Sequence, residues 1–380
     1  MILITIGDNM KYRKLGKTGL DVSEISLGTE YLLEIPREEA IRVIHYALDQ
    51  GINFFDLFFA QPVFRDTMGA AFAGKRDKAL LAAHLGASLV DGQYERTRSL
   101  EESEMYFHDF LKRYKTDYVD VLYLHNSDGQ EDYDEVMKPG GLYEMAMKFK
   151  AAGKTRYIGF SGHTVSTSSL AVHHPDIDVL MFPINLASNA VPGKKELLAA
   201  CVEQNVGVVV MKPYAGGKLL QSSQTIEMDN WLSAGGDFKL EKKEPITAAQ
   251  CLSYVLSQTG VSCIVPGCAS IEHIEDALSY YSLSEAEKDY AKHLVGFQQF
   301  TEGVCVYCNH CLPCPVGIDI GKSIRFLDSA AQGVSAQLQQ AYDAMEVPAG
   351  ACIRCGDCED RCPFSVQTMD KLEQAAVLYE

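Results

Sequence analysis

From Lys11 to about residue 283 the chain repeats one pattern, in which a short apolar run is followed by a stretch with helical spacing and then by another apolar run. Eight runs read as buried strands: Val22 to Leu27, Ile52 to Phe55, Ala79 to Ala83, Tyr118 to Leu124, Thr155 to Phe160, Val179 to Phe182, Val206 to Met211 and Val261 to Val265. Helical spacing occupies Glu38 to Asp49, Ser103 to Tyr114, Tyr133 to Ala152, Lys194 to Gln204, Ala248 to Gln258 and Ile271 to Tyr281, several of them stopped by a glycine. Strands that alternate with helices lie parallel, and eight such units in about 250 residues fit a closed (β/α)8 TIM barrel. An open doubly wound sheet is the alternative. Ahead of the barrel, Tyr12 to Leu15 and Leu20 to Val22 flank a Gly16-Lys17-Thr18-Gly19 turn and predict a hairpin. After the seventh strand, an insertion from Pro213 to Pro245 carries Gly216-Gly217, the sole tryptophan Trp231 and Gly235-Gly236. Loops that follow barrel strands face the active mouth, so this one is placed to cover a ligand.

The tail obeys a different rule. Eight of the twelve cysteines fall into two runs, Cys305-x2-Cys308-x2-Cys311-x2-Cys314-Pro315 and Cys352-x2-Cys355-x2-Cys358-x3-Cys362-Pro363. Two-residue gaps place successive thiolates around one turn of backbone, where they hold three corners of a cubane, and the cysteine before the proline ligates the other cluster. That spacing predicts two [4Fe-4S] clusters, one held by Cys305, Cys308, Cys311 and Cys362, the other by Cys352, Cys355, Cys358 and Cys314. The first run is one residue short of the ferredoxin pattern before its last cysteine. Structural zinc sites are the competing reading of paired Cys-x2-Cys motifs. A disulfide framework fits less well than zinc, because nothing at the N-terminus reads as a secretion signal and a chain this long needs no staples. Helical composition at Ile318 to Leu327 and Ala331 to Met345 completes a small helical ferredoxin-like domain. The expected division is 1–285 for the barrel and 286–380 for the cluster domain. Cys201, Cys251, Cys263 and Cys268 read as buried apolar residues.

Composition narrows the partners. With 47% hydrophobic and 22% charged residues the chain can bury a large core. No apolar run approaches the ~20 residues that cross a bilayer, and the opening Met1 to Ile6 is too short for a signal peptide, which points to the cytoplasm. A net charge of −17 repels nucleic acid and anionic membranes. Exposed clusters suggest an anaerobe.

Several segments together carry a resemblance: Tyr12 to Leu20, Gly51-Ile52-Asn53-Phe54-Phe55-Asp56, Asp117-Tyr118-Val119-Asp120 leading to His125, Tyr157-Ile158-Gly159-Phe160-Ser161, Met211 to Gly217 and Val265-Pro266-Gly267. On these, the chain resembles the iron-sulfur branch of the aldo-keto reductases, a reductase barrel fused to a C-terminal two-cluster ferredoxin domain. The resemblance implies carbonyl reduction by hydride from a nicotinamide, with an Asp, Tyr, Lys, His tetrad at the strand ends. Asp56 and His125 match two members. His84 replaces the lysine, and Gln61 stands where the tyrosine acid belongs. Glutamine cannot donate the proton that neutralises an alkoxide. Tyr31 and Tyr214 are candidate replacements.

The family's nicotinamide clamp corresponds to Ser161-Gly162, Met181 and Lys212, and its phosphate site to the region of Gly267-Cys268, His273 and Asp276-Ala277. Ser161, Lys212 and Gly267 are thus the candidate cofactor residues, with NADP(H) as the cofactor that the resemblance implies. An eroded hydride site beside a full cysteine set predicts an oxidoreductase whose clusters exchange electrons with a small organic substrate at the mouth. Asp56, His84 and His125 would handle protons, and a ferredoxin or flavoprotein would donate electrons. Alternatives are an NADPH-dependent carbonyl reductase with auxiliary clusters, a metal site of His84, His125 and His163 with Asp56 running hydration or isomerisation, and an electron-carrier subunit.

Overall fold

A hairpin, β1 (Tyr12–Lys14) with β2 (Asp21–Ser23), opens the chain in this computed structural model. The structure describes residues 10–90, 92–188, 191–221, 225–228, 238–241, 245–295, 303, 305, 311–330, 333–362 and 365–380. One sheet follows in chain order: β3 (Leu27–Gly28), β4 (Phe54–Leu57), β5 (Leu80–Leu85), β8 (Val119–Leu124), β9 (Thr155–Ser161), β10 (Val179–Pro183), β11 (Gly207–Met211) and β14 (Val261–Val265). Every pairing in it is parallel. Parallel bridges Ile25 to Ile264 and Gly28 to Gly267 join its two edges, so the sheet closes into the expected barrel.

Side chains alternate along each strand, and the inward set fills the barrel in layers. Leu15, Leu20 and Val22 from the hairpin share an interior cluster with Phe54, Ala82, Val121, Tyr123, Val179, Met181, Val209, Cys263 and Val265. The hairpin therefore plugs the end from which the strands start. Gly159 is small by necessity, since a Cβ there would lie 2.3 Å from the Tyr123 ring. The next inward positions above this plug are Asp56 on β4, His84 on β5, Ser161 on β9 and Met211 on β11, with His125 directly after β8.

Several expectations need correction. Val22 to Leu27 is not one strand: Ser23 belongs to the hairpin, and Ser26 Oγ donates to the Ser23 carbonyl (2.8 Å), bending the chain between the two elements. Tyr133 to Ala152 is two helices, Gln130–Met137 and Leu142–Ala151, separated by Pro139-Gly140-Gly141 with Gly140 at φ 76°. Helices Pro62–Ala71 and Val165–Val172 were not anticipated. Neither was a second hairpin, β6 (Ala87–Val90) with β7 (Gln93–Arg96), which stands at the mouth after β5. Inside the long insertion β12 (Thr225–Met228) pairs with β13 (Phe238–Glu241), while Trp231 and Gly235-Gly236 lie outside the described residues.

Beyond the barrel, whose core includes Tyr290, Ala291 and Leu294, the tail has its own small core. Helices Ile320–Ser329, Ala336–Asp343 and Thr368–Tyr379 pack around Ile324, Leu338, Leu372 and a stacked Tyr342–Tyr379 pair with ring centroids 4.4 Å apart. Lys195 fastens tail to barrel by reaching the Cys305 carbonyl (3.1 Å) and the Asp328 carboxylate (3.0 Å). No helix among the described residues is long and apolar enough to cross a membrane.

Candidate active site

The strand ends open onto a cavity of about 540 Å³, within the range that takes small-molecule ligands. Asp56, His84 and His125 all line it, as do Ser161, Lys212 and Gly267. The first three form a continuous chain. His84 Nε2 lies 2.8 Å from Asp56 Oδ1, and His84 Nδ1 lies 2.7 Å from His125 Nδ1. The Asp56 carboxylate holds His84.

The fourth member came from outside the predicted set. Tyr94, on β7, places its hydroxyl in a short hydrogen bond with His125 Nε2 and also lines the cavity. Sequence spacing pointed to residue 61, but Gln61 sits at the N-terminus of helix Pro62–Ala71 with its buried Oε1 unpartnered. The available signal was Asp91-Gly92 between two strand-like runs, the commonest two-residue hairpin turn.

Polarity along the chain follows from counting protons. Burial, then the neighbouring His84 and Arg98, hold His125 well below the ordinary histidine value, so it is neutral and carries one N–H. In the arrangement where a neutral His84 donates Nε2–H to Asp56, His84 Nδ1 accepts from His125 Nδ1–H and His125 Nε2 accepts from Tyr94, so that all three bonds point toward Asp56. Burial raises Tyr94 above the usual tyrosine range, and the Asn126 side chain, Arg96 and Arg98 pull it back down. Phe58 covers the chain, its ring stacked near His125 (centroids 6.1 Å, 14°) and edge-on to Tyr94 (5.5 Å, 86°).

A second group stands across the strand ends. His163 Nδ1 lies 3.1 Å from Asp128 Oδ2, and its Nε2 lies 3.1 Å from Lys212 Nζ. Burial keeps His163 below its ordinary value, with Lys212 adding to the effect and Asp128 opposing it. Its partners are therefore Asp128 and Lys212, not His84 and His125. Among the described residues no group of three or more His, Cys, Asp or Glu could hold a metal ion, which overturns the His84/His125/His163 metal site. Tyr31 packs its ring on Gly267, where a Cβ would come within 2.5 Å of that ring, so this glycine is required by packing. The Tyr214 hydroxyl is buried with no hydrogen-bond partner.

In the tail, Cys314, Cys352, Cys355 and Cys358 line one small cavity with Pro315, Ile353 and Arg361. Arg361 donates to the carbonyls of Cys311 (2.9 Å) and Pro313 (2.7 Å), tying the two cysteine runs together. Cys305 and Cys362 pack against the barrel core, and Cys311 packs against the tail core. Cys308 lies outside the described residues.

Comparison with known proteins follows the barrel. The model of the Aldo/keto reductase family matches residues 24–295, ending before the first tail cysteine. The Bacillus subtilis uncharacterized oxidoreductase YqkF is 26% identical over 286 residues, covering 70% of this chain and 90% of that protein. L-galactose dehydrogenase of Arabidopsis thaliana is 24% identical over 287 residues, covering 70% and 86%. Among solved structures, aldo-keto reductase AKR11C1 from Bacillus halodurans in its holo form superposes with a TM-score of 0.61 at 24% identity, covering 75% of this chain and 96% of that one, a likeness of fold.

Proposed function

The chain belongs to the aldo/keto reductase family, and from that premise we propose that this oxidoreductase interconverts a carbonyl and an alcohol on a small organic molecule held in the mouth cavity, with Tyr94 as its acid and base. The observation that carries the reading is the Tyr94–His125–His84–Asp56 chain lining that cavity. It returns a tyrosine hydroxyl to a site whose usual tyrosine position holds Gln61.

When an alcohol is oxidised, Tyr94 takes the substrate's hydroxyl proton while its own passes to His125 Nε2. His125 Nδ1–H moves to His84 and His84 Nε2–H to Asp56, each along a bond already aligned that way. Reduction runs the chain backwards, delivering the Tyr94 proton to the developing alkoxide. Asp56 also opens onto the cavity, so it can exchange its proton there. Phe58 packs against His84, His125 and Tyr94 and helps fix the three rings relative to one another.

NADP(H) is the family's usual hydride carrier, and here Ser161, Lys212 and Gly267 would hold it; when bound it supplies or takes the hydride. The Ser161 hydroxyl and the Lys212 ammonium are cavity-lining donors suited to a carboxamide or phosphate. A second reading is favoured by the four cysteines around one tail cavity. What supports a cluster there is that cysteines from both runs line the same cavity, together with their sequence spacing. Under it, Cys314, Cys352, Cys355 and Cys358 hold one [4Fe-4S] cluster, and Cys305, Cys308, Cys311 and Cys362 the other, in a helical domain spanning 286–380. These clusters would supply single electrons, replenished by a ferredoxin or flavoprotein.

An anaerobic titration with NADPH and then NADH, following nicotinamide fluorescence and visible absorbance together, separates the readings. Tight binding supports the hydride route. No binding by a protein that contains iron and is bleached by a low-potential donor supports the electron-fed route. Neither binding nor iron would remove both.

A further inference from the structure

The strand that delivers Tyr94 ends in Arg96 and leads on to Arg98, and the placement of these two arginines is unusual. Arg96 Nη1 (2.9 Å) and Arg98 Nη2 (2.8 Å) both donate to the backbone carbonyl of Asn126, the residue next to His125. Both guanidiniums share a single carboxylate: Arg98 reaches both Asp132 oxygens at 2.7 Å, and Arg96 reaches Oδ2 at 3.0 Å. Two cations against one carboxylate leave the Arg96–Arg98–Asp132 cluster itself cationic, with Glu95 as the opposing charge near Tyr94. Asn126 itself is held at φ 46°, in the left-handed region where a residue other than glycine leans on outside support.

We propose that Arg96 and Arg98 are positioning residues that lock the Tyr94 hairpin onto the end of β8 and supply the cationic field that the absent lysine would have provided. The residue at the lysine's place, His84, spends its nitrogens on Asp56 and His125. With both nitrogens engaged, that ring is not free to face a tyrosinate as the lysine's ammonium would. The arginines approach from the other side, Arg96 at the end of the tyrosine's own strand and Arg98 two residues beyond it, so acid and charge arrive on one stretch of chain. Burial works against them, and the remaining groups around Tyr94 are Glu95, whose charge opposes theirs, the Asn126 side chain, neutral His125, and Phe58 and Phe59. Further out, Asp128 is paired with His163, and Asp56 is screened by His84.

This inference rests on Tyr94 acting as the acid and base, and the test separates the two. The full-length protein, labelled with 13C at the tyrosine ζ carbon, is titrated with base, Tyr94→Phe identifying the resonance. Arg98→Gln should move the Tyr94 midpoint up by roughly one pH unit, Arg96→Gln by less, and Arg98→Lys should restore most of the difference. With 4-nitrobenzaldehyde and NADPH as the turnover probe, kcat should fall in Arg98→Gln while KM changes little. An unmoved midpoint in Arg98→Gln, or a lysine variant no better than glutamine, overturns the proposal. A Tyr94→Phe protein that keeps full turnover would instead remove the acid assignment beneath it.

Discussion

The barrel mouth and the cysteine tail solve the problem of placing reactive groups in opposite ways. At the mouth, Asp56, His84 and His125 stand on strand ends or just beyond them, fixed by a sheet whose alternation carries each inward position up from the plug. Each polar group finds its partner in the next, so the arrangement is complete from the chain's own residues. In the tail, the described cysteines sit on loops and very short helices around a modest core, and none is in a disulfide. Rigid elements can organise a relay without help. Thiols presented by loops take their final geometry from whatever they hold.

The sharpest way to break this contrast is Tyr94→Phe. Turnover should fall about 10² to 10⁴-fold, the usual contribution of a general acid, while iron content and visible absorbance stay unchanged. On the tail side, if the cysteines hold clusters, Cys355→Ser should lose about half of the iron, and should lower NADPH-linked turnover by no more than about twofold if the mouth works alone. Equal loss in both assays would join the two regions into one electron path. Gly159→Ala probes the plug, because its Cβ would meet the Tyr123 ring; a loss of about 1–3 kcal/mol in denaturant unfolding is expected from overpacking. The smallest effect concerns pH. Burial holds His125 below its unfolded value, so between those values the unfolded chain binds more protons. Stability is full above about pH 6.5 and declines as pH falls below it, a trend that His125→Gln should flatten in thermal melts.

Much of this was legible in the residues. Eight apolar runs gave the barrel, and Asp56, His84 and His125 were recognisable because each follows or ends such a run. Where local chemistry turned the chain, periodicity misled: Ser23 and Ser26 bond back to the backbone and split the first strand, and Pro139-Gly140-Gly141 divides one apparent helix. Tyr94 was missed because spacing was measured from Asp56, whereas a hairpin delivers this hydroxyl from the far side of β5. A residue's distance in sequence from a motif says nothing about which loop folds back over it. Asp91-Gly92 was the visible clue to that hairpin, though not to where its tyrosine would point.

The most direct test of the relay is a 15N spectrum of the two imidazoles, assigned through His84→Gln and His125→Gln. The account predicts a neutral His125 protonated at Nδ1 and a His84 protonated at Nε2 at neutral pH, with His125 perturbed in Tyr94→Phe. A His125 protonated at Nε2, or a charged ring at that position, would contradict the one-way chain from Tyr94 to Asp56.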